Sequence, residues 1–145
     1  MGHMRADALP DCHETRPDPP AMGVWESGPE VPRAARNLVR EVLRRGEPPM
    51  RGDKLDDVCL IVSELVTNAY RYGGEPGDAV MVVVLPSADH IRVEVHDTRR
   101  KRPHLRTESD ERARGRGLHL VELLATRWDT FERPFGKAVW AEVAR

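Results

Sequence analysis

The sequence is short of cysteine, of aromatic residues, of long apolar runs and of any excess of one charge. Its 145 residues hold two cysteines, Cys12 and Cys59, and Phe, Trp and Tyr together make up 5 %. One cysteine falls in a Pro- and Asp-rich leader and the other inside an apolar helical pattern, a poor arrangement for a disulfide, so a disulfide-stapled secreted scaffold is excluded. Both read as free thiols of a reducing cytoplasm. Lys and Arg number 23 against 24 Asp and Glu, a formal net charge of -1. That balance argues against wholesale attraction to nucleic acid or anionic membrane and makes any electrostatic function local. No run approaches the roughly 18 apolar residues of a membrane span, and the N-terminus lacks the apolar core of a secretory signal. A cytoplasmic location is expected, with no membrane partner. There is no internal repeat. His90, His96, His104 and His119 lack the paired spacing of a metal site and read as polar-face residues.

What is present suits a folded domain. Hydrophobic residues are 39 % of the chain, and the charged 32 % are mixed in sign, a composition of globular rather than disordered chains. At this length one core is expected, burying about two-thirds of the unfolded surface. The opening MGHM has the look of an expression-vector scar, and the segment that follows, RADALPDCHETRPDPPAMG, has no apolar period. Residues 1–21 are therefore expected to be a scar and a disordered leader, and 22–145 a single domain.

Within 22–145 two helices are written clearly. Val31, Ala34, Ala35, Leu38, Val39, Val42 and Leu43 keep a three-four spacing behind Pro32, which suits a first turn, and Gly46 closes the pattern. A longer helix is expected from about Lys54 to Tyr72, with Asp53 as N-cap and Gly73-Gly74 as the stop. Its stripe is Leu55, Val58, Cys59, Val62, Leu65, Val66 and Ala69. Two strands follow, AVMVVVL at 79–85 and HIRVEVHD at 90–97, joined by a turn of hairpin composition. The first is nearly all apolar, as a central strand is. In the second, Ile91, Val93 and Val95 alternate with Arg92, Glu94 and His96, which predicts one wet face. The polar segment Thr98 to Arg114 is long enough, at about 17 residues, to be expected to be a functional, mobile lid. GRGLHLVELLATRW then predicts a helix, and WDTFER, PFG and KAVWAEV a closing hairpin, with Trp128 and Trp140 filling the space between sheet and helices. The fold class expected is α/β, of the α+β kind: a two-layer sandwich of a mixed, mainly antiparallel sheet with helices on one face.

Three features carry chemistry. At about 100° per residue, Glu64 and Asn68 share one side of the long helix with Asp57 and Arg71, and Leu60 and Ile61 project near it. A carboxylate and an amide beside two aliphatic side chains suggest a face that something covers. Asp97 closes the alternating strand where the sheet opens into the long segment, a place where ligand-contacting acids occur, although an Asp after a strand is more often a turn residue. Gly115 and Gly117 precede a helix, whose free N–H groups make an anion site.

Taken together, ELVTN on a helix, VEVHD closing a strand, a long polar segment, GRGL before a helix and a terminal GKAVW strand resemble the Bergerat, GHKL-type, ATP-binding fold of gyrase, histidine-kinase and chaperone ATPase domains. The likeness extends to its small single-domain branch, the bacterial anti-sigma-factor serine/threonine kinases and related regulators. The resemblance implies ATP and Mg²⁺ as cofactors, Glu64 as general base and Asn68 as the Mg²⁺ ligand. It implies Asp97 as acceptor for the adenine amino group, and a phosphate-side loop of Gly115, Arg116, Gly117 and Leu118. Arg99 and Lys101, which follow Asp97 in the long polar segment, stand where the family usually has glycines and are expected among the nucleotide-binding residues. Ala138 stands where it often has a Thr whose hydroxyl supports the adenine-binding Asp, so reduced nucleotide affinity is expected. The partners implied are a sigma factor, an antagonist protein that is phosphorylated, and a second copy of the chain as a homodimer. A binding module that sequesters a transcription regulator without phosphate transfer remains the alternative. Direct nucleic-acid binding through RRKRPHLR is not expected, because the run lacks aromatics and Glu108, Asp110 and Glu111 follow it.

Overall fold

A computed structural model describes residues 20–73, 77–97, 118–134 and 136–145. Strand β1 is Ala21–Glu26, helix α1 Val31–Arg45, helix α2 Gly52–Gly73, strand β2 Ala79–Pro86 and strand β3 His90–Asp97. A helical segment, α3, occupies 118–124. Strands β4, Arg127–Arg133, and β5, Gly136–Ala144, close the chain. The strands form one five-stranded sheet in the order β1-β2-β3-β5-β4. Every ladder is antiparallel, so the mainly antiparallel sheet expected contains no parallel pair among the described residues. The strand after α3 lies at the sheet edge, and the chain then turns back to pair with β3.

One face of the sheet is built from every second residue, as the pleat requires. Val80, Val82 and Val84 of β2 and Ile91, Val93 and Val95 of β3 point to it, with Ala141 and Val143 of β5, and all are buried. Helix α1 lies against β1 and β2, and α2 crosses β2, β3 and β5 while packing along α1. Val31, Ala35, Val39 and Leu43 repeat every four residues along α1 and are buried against this layer. Leu118, Val121 and Leu124 of α3 join the same core. Complete burial of one such Val or Leu is worth about 1.5–3 kcal/mol, and the layers cohere through many of them.

The two helices begin as physical chemistry suggests, with local differences. Pro32 sits in the first turn of α1, and Arg44 and Arg45 occupy its last turn, where cations suit the negative end of the helix dipole. The longer helix starts at Gly52, which has φ +66, so Asp53 lies inside its first turn rather than capping it. The acid still favours the positive end of the dipole.

Three side chains sit elsewhere than the sequence pattern suggests. Ile61 is fully buried while Leu60 is 42 % exposed, because α2 is covered on two sides, by the sheet and by α1. His96 is buried, not wet. Its Nε2 lies 3.0 Å from Glu94 Oε1, and Arg133 Nη1 lies 2.8 Å from its Nδ1. Trp140 pairs with Glu94 and Asp129 on the sheet face turned away from the helices, where the Arg92 guanidinium lies 4.1 Å from its ring centre. Trp128, by contrast, packs against the core as expected.

At the edge strand, Gly23 leaves room for a neighbour two residues on. A Cβ built there would overlap the Trp25 ring, which lies flat across the glycine and packs against the core. Gly23→Ala is expected to push that ring off the core and lower stability by about 1–3 kcal/mol. Chemical denaturation followed by tryptophan emission would test it: an unchanged midpoint would mean that Trp25 contributes nothing at this position.

Candidate functional site

Helix α2 brings its polar residues into the core layer through spacing alone. Val58, Ile61, Leu65 and Asn68 follow one another at three- and four-residue steps, so they form a single stripe. The first three are buried aliphatic residues, and Asn68, at 9 % exposed, continues the stripe with an amide. Its Nδ2 has no hydrogen-bond partner among the described residues. A buried donor left unpaired costs about 1–3 kcal/mol, and native proteins keep few of them. Glu64, one turn earlier, occupies the partly exposed shoulder with Asp57 and Thr67, so the two residues are adjacent but differ in access: Asn68 is enclosed and Glu64 is only partly buried.

Asp97 arrives from the other layer. It is the last residue of β3 and 8 % exposed. By the alternation of the strand it points to the same side as Val93 and Val95, the side that α2 covers. Directly across the ladders stand Val80 on β2 and Lys137 on β5. Ala138 pairs with His96 instead, which places it on the opposite face of the sheet. The hydroxyl expected from its position is therefore irrelevant to Asp97, and the residue beside Asp97 is Lys137. Composition could not reveal this, because it depends on the parity of the β3–β5 register; an alignment of VEVHD against GKAVW in antiparallel order would have found it.

Of the other residues singled out, Leu118 is half-buried at the start of the described part of α3. Arg99, Lys101, Gly115, Arg116 and Gly117, and with them the lid at 98–114, lie outside the described residues. Ser87, Asp89 and His90 bring together the residue types of a hydrolytic triad, but they serve a turn. Ser87 Oγ donates to the His90 carbonyl at 2.9 Å, and His90 Nδ1 is 2.7 Å from Asp89 Oδ1. The hydrogen bond from His90 is the largest cause that holds the Asp89 carboxyl below its ordinary range.

The predicted site residues are thus an enclosed amide whose nitrogen has no partner among the described residues, a partly exposed acid one turn away, and a buried acid on the sheet face that the same helix covers. The model of a known family, the histidine kinase-like ATPase domain, matches residues 26–142, from the end of β1 nearly to the end of β5. The chain belongs to that family. No curated protein matches it. A histidine kinase-like ATPase domain binds ATP, and the described residues fit that ligand: the unpaired Asn68 amide offers a polar end inside the layer, and an amide can present either oxygen or nitrogen by a half-turn of its plane. Buried Asp97 offers an acceptor. Among the described residues no helix is long and apolar enough to cross a membrane.

The cost of the unpaired amide gives a test of this domain. Asn68→Leu, close in shape and continuing the apolar stripe, is expected to leave the nucleotide-free protein at least as stable as wild type, by up to about 1–3 kcal/mol. The same variant should lose the rise in melting temperature that ATP with Mg²⁺ produces in wild type. Thermal unfolding with and without the ligand measures both, and a destabilised variant that still responds to ATP would remove Asn68 from the site.

Proposed function

We propose that this domain is a cytoplasmic ATP-binding regulator that acts as an anti-sigma-factor serine/threonine kinase, holding a sigma factor and phosphorylating an antagonist protein. The observation that carries the proposal is the buried Asn68 amide, its nitrogen without a partner among the described residues, one turn from the partly exposed Glu64 and in the layer that Asp97 faces. Asp97 would accept a hydrogen bond from the adenine amino group, which guanine cannot donate from the same position. Asn68 would hold Mg²⁺ through its amide oxygen, and the ion when bound supplies positive charge against the phosphates. Glu64 would take the proton of the attacking Ser or Thr hydroxyl. Its half-exposed position suits that task, since a hydroxyl carried by another protein must reach it from outside, whereas the ligands of the nucleotide are enclosed.

A second reading is favoured by the basic residues around Asp97. Lys137 stands directly across from it, and Arg99 and Lys101 follow it in the sequence. An adenine end so altered would suit a module that captures a regulator and uses nucleotide only as a conformational ligand.

Radiolabelled phosphate transfer to an antagonist, run beside sigma-factor capture, separates the two. Glu64→Gln keeps size and helix propensity, so ATP binding and capture should persist while transfer falls by about 10² to 10⁴-fold, the usual contribution of a general base. Equal transfer by wild type and Glu64→Gln would remove the carboxylate from that role. Wild type that binds ATP and captures its partner but transfers nothing would establish the second reading.

A further inference from the structure

At one end of the sheet, on the side that the helices cover, a single row of residues crosses all five strands. Trp25 of β1 stands opposite Val80 of β2, Val80 opposite Asp97 of β3, Asp97 opposite Lys137 of β5, and Lys137 opposite Glu132 of β4. Residues paired across a ladder turn their side chains to the same face. Val139, two positions after Lys137 and opposite Val95, packs against the core, which fixes the side on which Lys137 lies. The row is apolar at Trp25 and Val80 and charged from Asp97 onward. Access opens in the same direction: Val80 and Asp97 are buried, Lys137 is half-buried and Glu132 is exposed. A lysine that served solubility alone would suit an outward position, whereas this one stands on the covered side, beside the acid assigned to adenine.

We propose that Lys137 is a base-reading residue, whose ammonium donates a hydrogen bond to N1 of adenine while Asp97 accepts one from the neighbouring amino group. The inference rests on the reading of Asp97 given under the proposed function and adds the second half of the base edge to it. Adenine presents an amino donor and, next to it, the ring acceptor N1. A carboxylate only accepts and an ammonium only donates, so an acid and a lysine side by side offer the complementary groups to that edge. Opposite residues of antiparallel strands have Cβ atoms about 4.5–5.5 Å apart, and the flexible stem of Lys lets its head group come alongside the shorter Asp. Guanine in the same pose would set O6 against the carboxylate and N1–H against the ammonium, acceptor to acceptor and donor to donor. Lys137 therefore adds a second point of discrimination to the one that Asp97 makes. The arrangement also lowers a cost, because a buried carboxylate is expensive to keep ionised without an opposite charge nearby, and β5 brings a cation to the adjoining position. The phosphates do not compete for this lysine, since the same reading puts them with Mg²⁺ at Asn68 on α2.

Titration calorimetry of the full chain with Mg²⁺ and a set of triphosphates tests it: ATP, 1-deaza-ATP, in which C–H replaces N1, purine riboside triphosphate, which lacks the amino group, and GTP. Wild type should bind 1-deaza-ATP about ten- to a hundredfold more weakly than ATP, the range for one hydrogen bond to a charged group. Lys137→Met, which keeps most of the stem and removes the head group, should lose about as much on ATP and nothing further on 1-deaza-ATP, because variant and analogue delete the same bond. The comparison of ATP with its analogue on wild type decides the matter even if Lys137→Met is unstable. Equal binding of ATP and 1-deaza-ATP by wild type overturns the proposal, and weaker binding of purine riboside triphosphate in that same experiment would leave Asp97 as reader of the amino group. Equal binding of purine riboside triphosphate and ATP removes Asp97 from the base, and the N1 contact then stands or falls on the 1-deaza-ATP comparison alone. A wild-type loss on 1-deaza-ATP that persists in Lys137→Met overturns the role of the lysine. So does GTP bound as tightly as ATP, since the two groups would then read the guanine edge, and wild type that binds none of the four overturns both readings.

Discussion

The contact between α2 and β3 is the constraint on which both the core and the candidate site depend. Along α2 the stripe that meets the sheet runs Val58, Ile61, Leu65 and then Asn68, and along β3 the facing residues run Ile91, Val93, Val95 and then Asp97. Each series is apolar until its last member and polar there. The site is therefore an extension of the core, and its polar groups inherit the enclosure that the aliphatic residues create. Enclosure makes an amide or a carboxylate discriminating, since each hydrogen bond it makes is stronger away from water and each one it lacks is costly. The Asn68 nitrogen, unpaired among the described residues, is a small local cost, of about 1–3 kcal/mol, carried by a layer in which a single buried aliphatic side chain contributes as much.

Much of this was legible in the sequence because periods of 3.6 and 2 survive wherever one side of an element is covered. Helix α1, the stripe of α2, both hairpins and the placement of Asp97 at a strand end follow from spacing alone. What escaped was set by elements covered on two sides. Ile61 and Leu60 are about 100° apart, and a helix packed only on the sheet would have left both near its margin. The additional contact with α1 widened the buried arc to take in one and not the other. Trp140 and Ala138 escaped for a related reason: GKAVWAEV has small or apolar residues on both faces, so its pattern cannot tell inside from outside. Only pairing with β3 decides that Lys137, not Ala138, stands beside Asp97.

The face opposite the helices shows why alternation alone misjudges exposure. Arg92, Glu94 and His96 obey the polar-out rule, yet they are not simply solvated. Arg133 donates to His96 Nδ1, which makes that nitrogen an acceptor and leaves Nε2–H to donate to Glu94. For Glu94, burial pushes the carboxyl pKa up, but the hydrogen bonds from His96 and Arg92 together outweigh it and the result is a lowered value. A carboxyl with a lowered folded pKa contributes stability that is present above its unfolded value and is lost as pH falls through the folded one. The pairing of Glu94 with Arg92 and His96 is thus intact at neutral pH and yields only below the usual carboxylate range.

Both surfaces hang on the register of one strand. In β3 the inward series ends in Asp97 and the outward series in His96, so a slip of one residue would exchange them, turning the acid out of the layer and placing an imidazole within it. The register is held at the opposite end of the hairpin. There Ser87 N–H and Oγ–H both donate to the His90 carbonyl, each at 2.9 Å. Arg145 ties the same turn to the end of β5, its N–H reaching the Asp89 carbonyl at 3.0 Å and its Nε–H the Ser87 carbonyl at 2.7 Å. A slipped strand would have to give up these bonds as well as its ladder. The turn therefore acts on the candidate site without touching it: by fixing where β3 begins, it fixes which side of the sheet receives Asp97 eight positions after Asp89.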